Sequence, residues 1–98
     1  MQVIYLQSAR RDIEWVDAYY TSTFPEGRAN MRSQMYAAET LLEEHPHIGR
    51  KMLDHSGLRE LQITKTSFAF VYRVANTHIE ILRVWDQRRD PGALNLDI

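Results

Sequence analysis

The chain contains no cysteine, few glycines and no long apolar run, and each shortage excludes a class of protein. Without cysteine it forms no disulfide and has no thiolate to bind a metal or attack a substrate. Its apolar runs are only a few residues long, whereas a membrane-spanning helix needs roughly 20. Its four glycines are scattered, so there is no glycine-rich phosphate loop. We therefore expect no membrane partner and no cofactor.

Length and charge indicate one small domain that is not basic as a whole. The 98 residues, 44% of them hydrophobic and 26% charged, suffice for a single globular domain over residues 1–98. The net charge of −1 argues against general affinity for nucleic acid. The N-terminal residues lack the charged start and long apolar stretch of a signal peptide. We expect a cytoplasmic protein.

A short strand and a helix are predicted at the N-terminus. The apolar run Val3–Leu6 predicts the strand, and Ser8 after it is a favourable N-cap. One apolar stripe at helical spacing predicts a helix that ends near Phe24, because Pro25 follows. The stripe consists of Ala9, Ile13, Val16, Tyr20 and Phe24, widened by Trp15 and Tyr19, whose rings we expect to pack in the core or the hairpin.

A second helix and a long connection follow. A stripe of Met31, Met35, Ala38 and Leu42 predicts a helix from about Glu26 to His45. The short Pro-Gly connection between the helices predicts an antiparallel helical hairpin. Residues 45–57 then form a connection that is long for a compact domain. The side chains expected to anchor it to the core are Ile48, Met52 and Leu53.

From Leu58 onward the apolar period changes to two, which predicts three strands joined by short polar turns. The predicted fold class is α+β in the order β-α-α-β-β-β, a twisted, mainly antiparallel sheet. The helical hairpin covers one face and leaves the other open. The side chains expected to face the helices are Leu61, Ile63, Phe68, Phe70, Tyr72, Leu82 and Val84, with Ile79 and Ile81 on the opposite face.

Arginines on the predicted open face are the main candidates for binding. Strand alternation places Arg73, Arg83 and Trp85 there, and Arg88 and Arg89 follow at the strand end. Such a basic-aromatic patch suits nucleic acid or an acidic protein segment. The alternative is a solvated sheet face whose arginines prevent aggregation.

Other polar residues give weaker signals. Arg59 is expected to face the helices and to form a structural salt bridge with an acid of the hairpin. Three histidines, His45, His47 and His55, share one connection, but no acidic ligand accompanies them at the spacing of a known metal site. We expect surface histidines and no metal.

Several segments together resemble the RelE/ParE superfamily of toxins from bacterial type II toxin–antitoxin systems. The segments are VIYLQSARRDIEWVDAYY, HPHIGR, GLRELQI, FVYRV and IEILRVWDQRRDP, and they cover nearly the whole chain. The resemblance implies the same fold and a cognate antitoxin as partner. It also implies one of two activities. RelE-like members cut mRNA on the ribosome, and ParE-like members poison DNA gyrase.

The sequence departs from the nuclease pattern of RelE-like members. Glu60 and Gln62 stand where those members have lysines, and Ala69 stands where they have an arginine. Asp86 occupies a frequent histidine position, and Arg89 is the only match to a catalytic arginine. Attack of a ribose 2′-hydroxyl needs a base, an acid and charge neutralisation at the phosphate. No catalytic residue is therefore assigned.

The segment RVWDQRRDP resembles ParE-like members, so we expect a toxin that inhibits DNA gyrase and is neutralised by a cognate antitoxin. An alternative is a RelE-like nuclease acting on mRNA at the ribosome with relocated catalytic groups. A further alternative is a non-toxic member that only binds its antitoxin.

Overall fold

Two α-helices and five strands are the main elements of the part of the chain that the computed structural model describes, residues 1–94 and 96. In chain order they are β1 (Gln2–Tyr5), α1 (Gln7–Ser22), α2 (Arg28–Glu44), β2 (Arg50–Lys51), β3 (Arg59–Gln62), β4 (Phe68–Val74) and β5 (His78–Asp86). Neither of these two helices is long and apolar enough to cross a membrane. The α+β class and the predicted order are confirmed, and β2 is an additional short strand.

The strands form one sheet in the order β1-β5-β4-β3-β2. β1 runs parallel to β5, with Tyr5 beside Ile81, and the other neighbours are antiparallel. The chain must cross over from one edge of the sheet to the other between β1 and β2, and the two helices fill that crossover. The short β2 forms an edge of the sheet and lies in the segment predicted as a connection.

The helical hairpin covers one face of the sheet, as predicted, and we call this the helix face. Phe70 and Tyr72 are fully buried there, and burying a ring of this size stabilises the fold by about 1.5–3 kcal/mol. Asp17 of α1 links the two helices, since it accepts hydrogen bonds from Arg28 at 3.0 Å and Arg32 at 3.3 Å. The helix residues buried in this core are Ala9, Val16, Met31, Ala38 and Leu42.

The predicted faces of β5 are wrong in the first half of the strand. Val71 of β4 lies beside Arg83, but the next residue, Tyr72, lies beside Ile81, so Leu82 is an extra residue on β5. One extra residue reverses the side to which all preceding side chains point. Leu82 therefore faces away from the helices. The β5 residues that face the helices are Ile79, Ile81 and Val84, of which only Val84 was expected there.

The opposite face of the sheet, here called the second face, is not open, which corrects a further prediction. It holds an apolar cluster of Leu58, Val71, Leu82 and Trp85, each at most 9% exposed. The side chains that pack over this cluster are Leu6, Met52, Leu94 and Leu96. The cover thus comes from parts of the chain that lie outside its helices and strands.

The ends of α1 also differ from the prediction. Leu6 occupies the N-cap position, and Ser8 lies inside the first turn of the helix. Ser8 is not a cap because its hydroxyl donates to the carbonyl oxygen of Leu82 at 2.6 Å instead. The helix ends at Ser22, before Phe24, and a turn of 3₁₀ helix at Pro25–Gly27 leads into α2.

Hydrogen bonds, more than apolar anchors, hold the connection between α2 and β3. Met52 packs on the second face as expected. Ile48 and Leu53 do not anchor the connection, because they are 47% and 97% exposed. The backbone of this connection must therefore be fixed by polar contacts.

Arg59 and Tyr72 supply those contacts. The Tyr72 hydroxyl donates to the carbonyl of Pro46 at 2.9 Å and accepts from the amide of Gly49 at 2.8 Å. Arg59 donates to the carbonyls of His47 at 3.0 Å and Gly49 at 2.9 Å. Arg59 thus contacts backbone carbonyls, where a salt bridge to the hairpin was expected. Position 49 needs glycine, since a Cβ there would lie 2.5 Å from the Tyr72 hydroxyl.

Candidate binding groove between α1 and β5

The second half of β5 extends beyond its partner β1, and α1 takes over that edge. The pairing with β1 ends at Tyr5, after which the amide of Leu6 donates to Ile81. Ser8 then donates to the carbonyl of Leu82, and the Asp12 carboxylate accepts from the amide of Val84 at 2.9 Å. Ser8 and Asp12 lie one helical turn apart, so they share a face of α1. The side chains of Ser8 and Asp12 thus make hydrogen bonds to the backbone of β5 that a neighbouring strand would otherwise make.

Arg83 belongs to the same edge and is built into the fold. Its Nε and Nη2 donate to the two oxygens of Asp12 at 2.7 and 3.0 Å, which is a bidentate ion pair. Both side chains are less than a fifth exposed. Arg83 was predicted to bind a partner, but its guanidinium is already held by Asp12 and lies 5.6 Å from the Trp85 ring. The contact with Asp12 gives Arg83 a structural role, since it ties α1 to the edge of β5.

Two other predicted binding residues are also paired. Arg73 lies opposite Glu80 on the second face and donates to its carboxylate. The hydrogen bond from His78, followed by that from Arg73, holds the pKa of Glu80 below its usual value. Arg88 donates to both oxygens of Asp86 at 3.0 and 2.8 Å, and this contact lowers the pKa of the Asp86 carboxyl.

Arg89 differs from the other three arginines. Its guanidinium lies 5.0 Å from the centre of the Trp85 ring, close enough for a cation–π contact. Within the described residues, no carboxylate lies within ion-pair distance of it. Trp85 is only 4% exposed, so its ring cannot stack on a base as the predicted patch requires. The structure brings Arg83 and Arg89 together at Trp85. Arg73 is apart from them, because it lies on β4 beside Glu80, in the first half of β5.

A groove of about 510 Å³ runs between α1 and the second half of β5, and we call it the α1–β5 groove. Its floor contains the buried side chains of Val16, Phe68 and Val84, which belong to the helix face. Arg11 and Trp15 of α1 form one wall, and the opposite wall is lined by Trp85, Asp86 and Arg89. The groove therefore crosses the edge of the sheet where its two faces meet.

Sequence reasoning missed three groove residues of α1, namely Arg11, Asp12 and Trp15. Trp15 was expected to pack in the core or the hairpin, but it is 61% exposed and stacks on Tyr19 at 5.6 Å. The sequence signal for Arg11 and Trp15 was their spacing of four residues, one turn of α1, which places a cation beside an aromatic ring on the flank of the apolar stripe.

The positions that carry basic groups in RelE-like nucleases have structural contacts in this chain. Glu60 forms an ion pair with Arg50 of β2. The Gln62 amide donates to the carbonyls of Ile63, Thr66 and Phe68 in the next turn. Ala69 is completely buried. Among the described residues, no group of three or more histidine and acidic side chains could hold a metal ion.

Two comparisons with known proteins give matches. The family model described as the ParE toxin of type II toxin–antitoxin systems (parDE) matches residues 3–91. A solved structure of the chromosomal ParDE toxin–antitoxin system from P. aeruginosa is similar, with a TM-score of 0.69 and 22% sequence identity over 86% of this chain and 92% of that one. No curated protein matches. The family match includes every residue that lines the α1–β5 groove.

Proposed function

We propose a cellular role on the premise that this chain belongs to the family of ParE toxins of type II toxin–antitoxin systems. The role is inhibition of DNA gyrase, relieved when a cognate antitoxin binds the chain. The observation that supports it is the match to the ParE toxin family over residues 3–91. In the superfamily that the sequence resembles, the ParE-like members are the ones expected to act on gyrase.

The contacts of four polar side chains support binding over strand cleavage. The two carboxylates that line the groove, Asp12 and Asp86, each accept hydrogen bonds from an arginine. For Asp86 this lowers the pKa, which makes the carboxylate a weaker proton acceptor. The nuclease positions Glu60 and Gln62 are likewise occupied by local contacts. The groove offers cations and apolar surface, which suit a protein partner.

A supercoiling assay tests the proposed target. Purified chain added to gyrase and relaxed plasmid should block supercoiling or accumulate cleaved DNA complexes. The same chain mixed first with the protein encoded beside it should leave supercoiling intact. Full supercoiling at a several-fold molar excess of the chain over gyrase would exclude this target.

A growth assay tests toxicity itself. Expression of the chain alone should arrest growth, and co-expression with the neighbouring reading frame should restore it. Harmless expression of soluble, folded chain would favour the alternative of a member that only binds its antitoxin.

One observation keeps ribosome-dependent mRNA cleavage as a second candidate. A pocket on the second face, about 390 Å³ in volume, is lined by Arg50, His55, Glu60 and Arg89 among others. These are the types of side chain that phosphodiester cleavage uses. Primer extension on translated mRNA would show codon-positioned cuts, and these should disappear in Arg89→Ala. Uncut mRNA in the presence of toxic chain would dismiss this candidate.

A further inference from the structure

The charges along the α1–β5 groove do not balance. Asp12 is paired with Arg83, and Asp86 is paired with Arg88. Arg11 and Arg89 also line the groove, and within residues 1–94 and 96 no carboxylate lies within ion-pair distance of either. Both arginines are exposed. The groove therefore presents two cations, one on α1 and one after β5, that form no ion pair with a carboxylate of the described residues.

The groove also presents apolar surface that the fold leaves in contact with water. Trp15, at one wall, is 61% exposed and is one of the few large apolar side chains of the described residues that are exposed. The floor of Val16, Phe68 and Val84 is continuous with the core of the helix face. An exposed aromatic ring beside arginines is the composition typical of residues that dominate protein interfaces.

The edge of β5 restricts how a partner can dock. The carbonyl of Leu82 and the amide of Val84 face α1, where Ser8 and Asp12 already bond to them. An incoming strand would have to displace both side chains and break the ion pair with Arg83 before it could extend the sheet there. A partner in the groove therefore binds through its side chains.

We propose that the α1–β5 groove holds an acidic, amphipathic segment of the antitoxin. Carboxylates of that segment contact Arg11 and Arg89, and an apolar side chain packs between Trp15 and the groove floor. The inference rests on the proposed antitoxin partner and adds the place and the chemistry of the contact. It does not depend on gyrase being the target.

Charge reversal at the groove tests the electrostatic part of the proposal. The probe is the protein encoded by the adjacent reading frame, titrated calorimetrically into the purified full chain. Arg11→Glu and Arg89→Glu should each raise Kd on the order of tenfold, because an attraction becomes a repulsion. The double variant should raise Kd further and lose most of the salt dependence of binding. Lys51→Glu is the matched control, since it makes the same charge change on the far edge strand β2.

Ring removal tests the apolar part. Trp15→Ala should weaken binding by roughly tenfold, as truncation of an aromatic anchor does. Tyr36→Ala is its control, because Tyr36 is 73% exposed on α2 and outside the groove. Thermal unfolding of each variant should match that of the unaltered chain, since all these side chains are exposed.

The outcomes separate this inference from the proposed function. If the antitoxin binds and the groove variants weaken it no more than their controls do, the inference is wrong while the antitoxin partner stands. If the groove variants keep antitoxin affinity but lose gyrase inhibition, the groove contacts the target and the inference is again wrong. If the unaltered chain does not bind the neighbouring protein, the proposed partner and the inference both fail.

Discussion

The two faces of this sheet bury apolar side chains in different ways. On the helix face, rings such as Phe70 and Tyr72 lie beneath two helices whose apolar stripes were visible in the sequence. On the second face, a smaller cluster around Leu82 and Trp85 lies beneath a connection and the C-terminal tail. A helix covers a sheet as one cooperative unit, whereas irregular segments detach piece by piece. The helix face should therefore contribute most of the free energy of unfolding. The second face should mainly determine how easily the connection and the tail detach from the sheet.

The largest effect is expected from Phe70→Ala on the helix face. Phe70 is fully buried, and its removal should lower the free energy of unfolding by about 3–5 kcal/mol, a large part of the stability of a small domain. Urea unfolding followed by circular dichroism measures the loss. Phe24→Ala is the control, because that ring is 50% exposed and its removal should cost below about 1 kcal/mol. Equal losses in the two variants would contradict the assignment of the core.

Two adjacent residues of β5 compare the faces directly. Ile81 faces the helices and Leu82 faces away, and both are nearly inaccessible to solvent. Ile81→Ala should cost about 3–4 kcal/mol and Leu82→Ala about 2 kcal/mol, because the irregular cover over Leu82 can close the cavity more completely. The same urea titration compares them. A larger loss for Leu82→Ala would mean that the second face is packed as rigidly as the helix face.

Much of the helix face could be predicted from sequence because its signals are local. The helical stripe through Val16 and the alternation through Phe70 each lie within one element. The alternation was correct, and the stripe was correct except at Phe24 and Trp15, which are exposed. The first half of β5 was wrong because a bulge at Leu82 depends on the pairing with β4, which the sequence of β5 alone does not contain. The cover of the second face was missed because Leu94 and Leu96 lie outside every predicted helix and strand, and two alternate leucines are too short a signal to show which surface they cover.

The candidate site was harder to predict than the fold for a related reason. Alternation correctly grouped Arg83 with Trp85 on one side of β5. It could not show that Asp12, 71 residues earlier in the chain, neutralises Arg83. Nor could it show that Arg11 and Arg89 would line one groove. Ion pairs between distant segments decide which cations remain available, and they follow from tertiary structure.

Loss of the tail contacts should loosen the second face without unfolding the chain. Leu94→Ser with Leu96→Ser removes two apolar side chains that pack against the cluster containing Trp85 and should cost about 1–2 kcal/mol, because both leucines are only partly buried. The chain has two tryptophans, so a Trp15→Phe background makes Trp85 the only fluorescent indole. Its emission should move to longer wavelength in the double serine variant. Unchanged emission would show that the tail does not shield Trp85.

The smallest effect is expected at the polar end of the second face, where Glu80 is bonded to His78 and Arg73. These bonds lower the pKa of Glu80 in the folded chain, so their stabilisation is present above the unfolded pKa and is lost as the pH falls through the folded pKa. Glu80→Gln should therefore lower the urea midpoint slightly at neutral pH and reduce the further loss on acidification. Glu14→Gln is the control, since Glu14 is exposed and, in the described part of the chain, lies in no salt bridge. Identical acid unfolding of Glu80→Gln and the unaltered chain would mean that solvent screening cancels these bonds and that only the apolar centre stabilises the second face.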